Sequence, residues 1–84
     1  MEVKWSKLKS ERLKRTRGVS FEEIIETKII GVKKHSSREG QRVILFEYLG
    51  YIWAVPCVIT ANEVFLKTLY PSRKLTRMKR EGRL

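Results

Sequence analysis

The chain has 84 residues and a formal net charge of +10 at pH 7, from 19 Lys and Arg against 9 acidic residues. This length predicts a single domain over residues 1–84, and a hydrophobic fraction of 42% excludes full disorder. Apolar runs all fall short of the roughly 18 residues that span a bilayer, which argues against a membrane partner. The single cysteine, Cys57, and the lack of an apolar signal region at the start predict a cytoplasmic protein.

The positive charge is concentrated at the two ends. Residues 1–17 and residues 73–84 each carry a net +5, whereas residues 18–72 are neutral. This distribution predicts a small body that presents positive surface to a polyanion. Charge alone does not choose among RNA, DNA, an acidic lipid and an acidic protein.

The first predicted helix spans residues 4–16, with Trp5, Leu8 and Leu13 on one side. Its other side is basic and should hold a nucleic-acid backbone or meet an acidic partner. The residues on that side include Lys7, Lys14 and Arg15.

A second helix is predicted to begin with the capping box Ser20–Glu23 and to end near Gly31. Its expected buried face consists of Phe21, Ile24, Ile25 and Ile29. The period then changes to that of strands, which are expected at Ile30–His35, Arg42–Leu49, Tyr51–Thr60 and Glu63–Tyr70.

Short turns between these runs favour antiparallel neighbours. Pro56 predicts a bulge or a broken strand, and Pro71 is expected to end the sheet. The predicted fold class is α+β, with two N-terminal helices packed on one face of a three- to four-stranded antiparallel sheet. Residues 72–84 are predicted to form a basic tail, either partly flexible or with a short helix from Leu75 to Arg80.

The densest polar segment is Lys67–Arg77. Cleavage of RNA without a metal needs a base for the ribose 2′-OH, cations for the phosphorane and help for the departing 5′-oxygen. Candidate catalytic residues here are Arg73, Arg77, Lys67 and Tyr70. The alternative is that Arg73, Lys74 and Arg77 form a solvated tail that only binds phosphate. Lys74, Lys79 and Arg80 are candidate RNA-binding residues.

Three side chains have two interpretations each, Lys67 and the further candidates Glu47 and His35. Lys67 is either a base with a partly buried stem or a structural lysine. Glu47 is either a base or the ion-pair partner of a nearby cation, and His35 is either a general acid/base or an exposed polar residue. The aromatic residues that could stack bases, or belong to the core, are Tyr48, Tyr51, Trp53 and Tyr70.

No cofactor or metal site is expected. One His, one Cys and no Asp cannot assemble a zinc site, and no Gly-rich phosphate loop follows a strand. Cys57 lies in an apolar run, which favours a buried thiol over a nucleophile.

Two motifs resemble those of a known family. The segment Gly18-Val-Ser-Phe-Glu-Glu23 after a basic helix, and Phe65-Leu-Lys-Thr-Leu-Tyr-Pro-Ser-Arg-Lys74, resemble the BrnT-type toxins of type II toxin–antitoxin modules. The resemblance covers about residues 5–77. By position, it assigns the family's basic residues to Arg73, Lys74 and Arg77, and the strand lysine to Lys67.

The resemblance implies a RelE-like fold and a metal-independent endoribonuclease that cleaves mRNA, with ribosome association left open. It also implies a cognate antitoxin, usually a ribbon–helix–helix DNA-binding protein through which alone the toxin reaches operator DNA. A homodimer is a further option, because so small a core gains from association. The alternative is a non-catalytic nucleic-acid-binding module, or an inactive toxin relative that acts in operon repression.

Overall fold

The computed structural model describes residues 2–34 and 40–84. Within these ranges one strand precedes two helices, five consecutive strands follow, and a third helix comes last. In chain order the elements are β1 (Glu2–Trp5), α1 (Lys7–Arg17), α2 (Phe21–Ile24), β2 (Lys28–Lys34), β3 (Gln41–Tyr48), β4 (Tyr51–Ile59), β5 (Glu63–Leu66), β6 (Tyr70–Ser72) and α3 (Arg73–Arg80).

The strands form one mixed sheet in the order β1-β5-β4-β3-β2, with β6 also pairing with β4. β1 and β5 are parallel, with Glu2 opposite Glu63 and Trp5 opposite Leu66. The other pairs are antiparallel. β4 is therefore the central strand, because it pairs with β3, β5 and β6.

The predicted arrangement of two N-terminal helices on a three- to four-stranded antiparallel sheet, as in a RelE-like fold, is wrong. The described residues form six strands in a mixed sheet, and only α1 among the three helices is long. The second helix is a single turn, and α3 packs on the sheet face opposite α1 and α2.

The first helix begins later than predicted because Ser6 caps it. The Ser6 hydroxyl accepts a hydrogen bond from the Lys9 N–H at 3.2 Å, and Ser6 itself has an extended backbone. Trp5 therefore belongs to β1. At the other end Gly18 adopts φ 84°, and its N–H bonds to the carbonyl of Lys14.

The capping box of the second helix is confirmed. The Ser20 hydroxyl accepts from the Glu23 N–H at 3.1 Å, and the Glu23 carboxylate accepts from the Ser20 N–H at 3.0 Å. The helix nevertheless ends at Ile24, where the chain tightens into a turn in which the Glu26 and Thr27 N–H groups bond to carbonyls three residues earlier. Phe21 and Ile24 are buried as predicted, whereas Ile29 is exposed on β2.

Pro56 does not interrupt β4, its own strand. It interrupts the pairing on one side of β4, where the partner strand is divided into β5 and β6. β3 pairs with β4 through Pro56 without a register shift. The Pro56 carbonyl accepts from the Lys67 N–H at 2.9 Å, so its missing N–H also faces that side. There the pairing stops at Leu66 and resumes at Tyr70, and Pro71 lies inside β6 instead of ending the sheet.

The sheet is covered by an apolar cluster on each face. The larger one joins α1 and α2 to the sheet, and its fully buried members include Phe21, Ile24, Val55, Cys57, Leu66 and Leu69. The smaller one consists of Leu45, Ile52 and Ala54, with Leu75 of α3 packed against it. Burial raises the pKa of the Cys57 thiol, which fits a structural role.

A buried hydroxyl joins α1 to α2. Ser10 is 1% exposed, and its Oγ accepts from the Phe21 N–H at 2.9 Å while donating to Glu22 Oε1. The other carboxylate oxygen of Glu22 accepts from Trp5 Nε1 at 3.0 Å. One carboxylate thus fixes β1, α1 and α2 relative to each other.

Replacing this hydroxyl should lower stability measurably. Ser10→Ala leaves the buried Phe21 N–H without an acceptor, so we expect a loss of about 1–3 kcal/mol in the free energy of unfolding. Thr16→Ala is the matched control, since Thr16 is exposed and bonds only within α1. Equal denaturant midpoints for Ser10→Ala and the wild type would contradict the assigned role of the hydroxyl.

The same network predicts a pH dependence of stability. The hydrogen bond from Ser10 lowers the pKa of Glu22 from its ordinary 4.5, with further help from Trp5. A lowered folded-state pKa stabilises the fold above pH 4.5, and this contribution is lost as pH falls through the folded value. Glu22→Gln should therefore flatten the acid limb of a stability–pH profile, whereas Glu11→Gln on exposed α1 surface should leave it unchanged.

Candidate nucleic-acid interface

The position of α3 is set by two hydroxyls. Ser72 caps the helix by accepting from the Leu75 N–H at 3.1 Å. Thr76 is buried, and its Oγ1 accepts from the Ile52 N–H at 2.9 Å and donates to the Ser72 carbonyl at 2.6 Å. With Leu75 against the smaller cluster, these bonds hold α3 across β4.

An ion pair holds the far end of α3. Lys79 Nζ lies 2.8 Å from Glu47 Oε2 on β3. The Lys79 hydrogen bond and charge, and the charge of Lys28, lower the pKa of Glu47. Glu47 is thus the partner of a cation, one of its two predicted interpretations, and the lowered pKa makes it a weaker base.

The outer side of α3 is basic. Arg73, Lys74 and Arg77 are exposed, and their spacing places them on the side away from Leu75 and Thr76. Arg73 is also the first residue of the helix, at the positive end of its dipole. The segment predicted as a tail therefore projects three cations from a fixed element.

A cavity of about 510 Å³, here called the aromatic cavity, lies beside the start of α3. It combines aromatic walls with two guanidinium groups, one from the end of α1 and one from the start of α3. Its lining residues are Arg17, Gly18, Val19, Tyr48, Leu49, Tyr51, Trp53, Pro71 and Arg73.

Two other cavities border α3. The sheet-face cavity, of about 210 Å³, is lined by Lys33, Lys34, Val43, Ala54, Pro56, Tyr70, Ser72 and Leu75. The C-terminal cavity, of about 400 Å³, is lined by Lys74, Arg77, Met78, Glu81 and Arg83.

The predicted catalytic residues are spread over these cavities. Arg73 lines the aromatic cavity, Tyr70 the sheet-face cavity and Arg77 the C-terminal cavity. Lys67 is exposed between β5 and β6. His35 lies outside the described residues.

The predicted RNA-binding residues lie on two helices. Lys7 and Arg15 are exposed on α1, and Arg80 is exposed at the end of α3. Lys14 also forms an ion pair within the protein, since its Nζ lies 2.9 Å from Glu23 Oε2. Lys79 is likewise engaged by Glu47.

Sequence reasoning missed Arg17 as a site residue. It directly precedes Gly18, a position that predicts only a helix end, and its place beside Arg73 follows from packing between distant elements. The aromatic residues of the cavity, unlike Arg17, were already candidates from the sequence. Tyr48 pairs with Tyr51 across the turn at Leu49-Gly50, which the alternation of the two strands already placed together.

The described residues offer little for two other kinds of site. Within residues 2–34 and 40–84, no group of three or more His, Cys or Glu side chains is placed to hold a metal ion. In the same ranges, no helix has the length and apolar character to cross a membrane.

The fold is similar to that of a ribonuclease toxin. The crystal structure of the Brucella abortus ribonuclease toxin BrnT matches this chain with a TM-score of 0.55 and 15% sequence identity, over 86% of this chain and 96% of that one. No protein-family model and no curated protein matches the sequence. At this identity the likeness shows a toxin-like fold.

Thr76 provides a test of how α3 is held. Thr76→Val keeps the shape but leaves the buried Ile52 N–H unpaired, so we expect about 1–3 kcal/mol lower unfolding free energy. Thr76→Ser keeps the hydroxyl and should lose clearly less. If both variants unfold at the same denaturant concentration, the hydroxyl does not hold the helix.

Proposed function

We propose that this chain is a metal-independent endoribonuclease, an mRNA-cleaving toxin that a cognate antitoxin neutralises. The observation that carries the proposal is the basic outer side of α3, which presents Arg73 and Arg77 from a helix anchored to the sheet. Its occurrence in a fold like that of a ribonuclease toxin supports the same reading.

The chemistry assigned to these residues is transesterification. The ribose 2′-oxygen attacks the adjacent phosphorus, its proton passes to a base, and the bond from phosphorus to the 5′-oxygen breaks. The products are a 2′,3′-cyclic phosphate and a 5′-hydroxyl that receives a proton. Arg73 and Arg77 hold the non-bridging oxygens, and their planar guanidinium groups suit the dianionic phosphorane.

The base and acid are assigned by proposal among Tyr70, Lys67 and His35. Tyr70 is half-exposed beside the Ser72 hydroxyl in the sheet-face cavity, next to the start of α3. Glu47 is assigned instead to anchoring α3, because its carboxylate is engaged by Lys79 and its pKa is lowered.

The remaining cations bind the RNA backbone in this proposal. Lys74 and Arg80 extend the basic side of α3, and Lys7 and Arg15 add a second patch on α1. Lys14 and Lys79 keep part of their ammonium groups exposed beside their carboxylate partners, and these remaining N–H donors can contact phosphate. Counterion release then makes RNA affinity strongly dependent on salt.

The proposed partner is a ribbon–helix–helix antitoxin, through which the toxin reaches operator DNA. A net charge of +10 suits an acidic partner segment that covers the same basic surfaces as RNA. We also propose action in the cytoplasm, on mRNA with or without the ribosome. A homodimer would use one of the two outer strands of the sheet, β1 or β2.

A second candidate function is RNA binding without cleavage. It is favoured by one observation, that Arg73, Arg77 and Tyr70 line three different cavities. In that case the protein is a nucleic-acid-binding module, or an inactive toxin relative that acts in operon repression.

Cleavage in the presence of EDTA separates the two functions. We expect the purified protein to degrade RNA with EDTA present and its expression alone to slow growth. Arg73→Ala and Arg77→Ala should each lower the cleavage rate about 100-fold, because each removes a donor to the phosphorane. RNA affinity should fall by about tenfold at most, far less than the cleavage rate, since many other cations remain.

Arg12→Ala is the matched control, because it removes the same charge from the exposed side of α1. It should change the cleavage rate little. Cleavage that stops in EDTA would contradict metal-independent chemistry. Parallel losses of cleavage and affinity in Arg73→Ala and Arg77→Ala would mean that these residues only bind, in favour of the second candidate.

A further inference from the structure

We propose that the aromatic cavity binds one unstacked nucleobase of single-stranded RNA, with Arg17 and Arg73 on the adjoining phosphates. This inference rests on the proposed function, since it names the part of the substrate that the cavity takes. It adds a base-binding subsite that the basic side of α3 does not itself supply.

The cavity has the size and lining of a ligand site. Its volume of about 510 Å³ lies within the range of roughly 300–1,000 Å³ that is typical of small-molecule sites. Tyr51 keeps 37% of its surface exposed there, so one aromatic ring is accessible to a flat ligand. Bases of single-stranded RNA stack on such rings without needing a sequence-specific contact.

The charged residues that line the cavity favour an anionic ligand. Arg17 and Arg73 contribute two guanidinium groups, and no carboxylate belongs to the lining. Neither arginine takes part in an ion pair among the described residues. A nucleotide combines a flat apolar ring with neighbouring negative charges, which matches this combination of walls and cations.

Trp53 is a further aromatic residue of the cavity wall. It is 8% exposed, so it supports the wall of the cavity while Tyr51 offers the accessible ring. A protein partner with an apolar side chain would leave the two arginines of the lining without an anionic partner. The combination of aromatic walls and arginines therefore favours RNA.

Binding should be measured with an RNA that cannot be cut. The probe is a single strand of about ten nucleotides in which each 2′-hydroxyl is 2′-O-methylated. Tyr51→Leu should weaken its binding about tenfold through lost stacking, and Arg17→Gln by a similar factor through a lost phosphate contact. An abasic strand of the same length should bind more weakly and be insensitive to Tyr51→Leu.

Two variants control for fold and charge. Phe65→Leu replaces an aromatic residue of matching exposure, 38%, that does not line the cavity. Arg12→Gln removes the same charge as Arg17→Gln from the same helix. Both should alter affinity less than about twofold, because losses of diffuse charge are shared among many cations.

Equal effects of Arg17→Gln and Arg12→Gln, with none from Tyr51→Leu, would overturn the inference in favour of diffuse phosphate binding. Intact RNA binding with lost neutralisation by the antitoxin would instead assign the cavity to the protein partner. Failure of the proposed function would give a different result from failure of this inference. If unmodified RNA is not cleaved but the methylated probe binds as described, the base-binding subsite stands and the endoribonuclease does not.

Discussion

The hydroxyl of Thr76 accepts a hydrogen bond from the N–H of Ile52 in β4 and donates one to the carbonyl of Ser72. It is buried between α3 and the sheet, where water cannot replace either bond. The apolar contact of α3 with the sheet is small and centred on Leu75. Polar bonds therefore decide where α3 lies, and with it the direction in which Arg73 and Arg77 project.

Local signals in the sequence predicted several individual elements, although not the arrangement of the fold. The capping box at Ser20–Glu23 is confirmed, because its bonds lie within four consecutive residues. β3 and β4 begin and end within one residue of their predicted bounds, since alternation and a tight turn determine both. The buried positions Phe21 and Ile24 followed from the same reasoning.

Errors arose where a distant partner decides the structure. Trp5 fitted a helical stripe, yet it extends β1 because β5 supplies a parallel neighbour. Pro71 remains in the sheet because β4 offers a partner across a gap that Pro56 creates. For the site, the basic residues of α3 were identifiable, but that Arg17 and Arg73 line one cavity depends on how α1, β4 and α3 pack together.

The parallel pairing of β1 with β5 constrains how this sheet forms. Glu2–Trp5 and Glu63–Leu66 are neighbours in the sheet but lie far apart in the chain. Such distant pairing slows folding, because a long stretch of chain must be ordered before the contact forms. The edge of the sheet at β1 is thus completed only after β5 has found its place beside β4, which makes this edge the slow part of the fold to assemble.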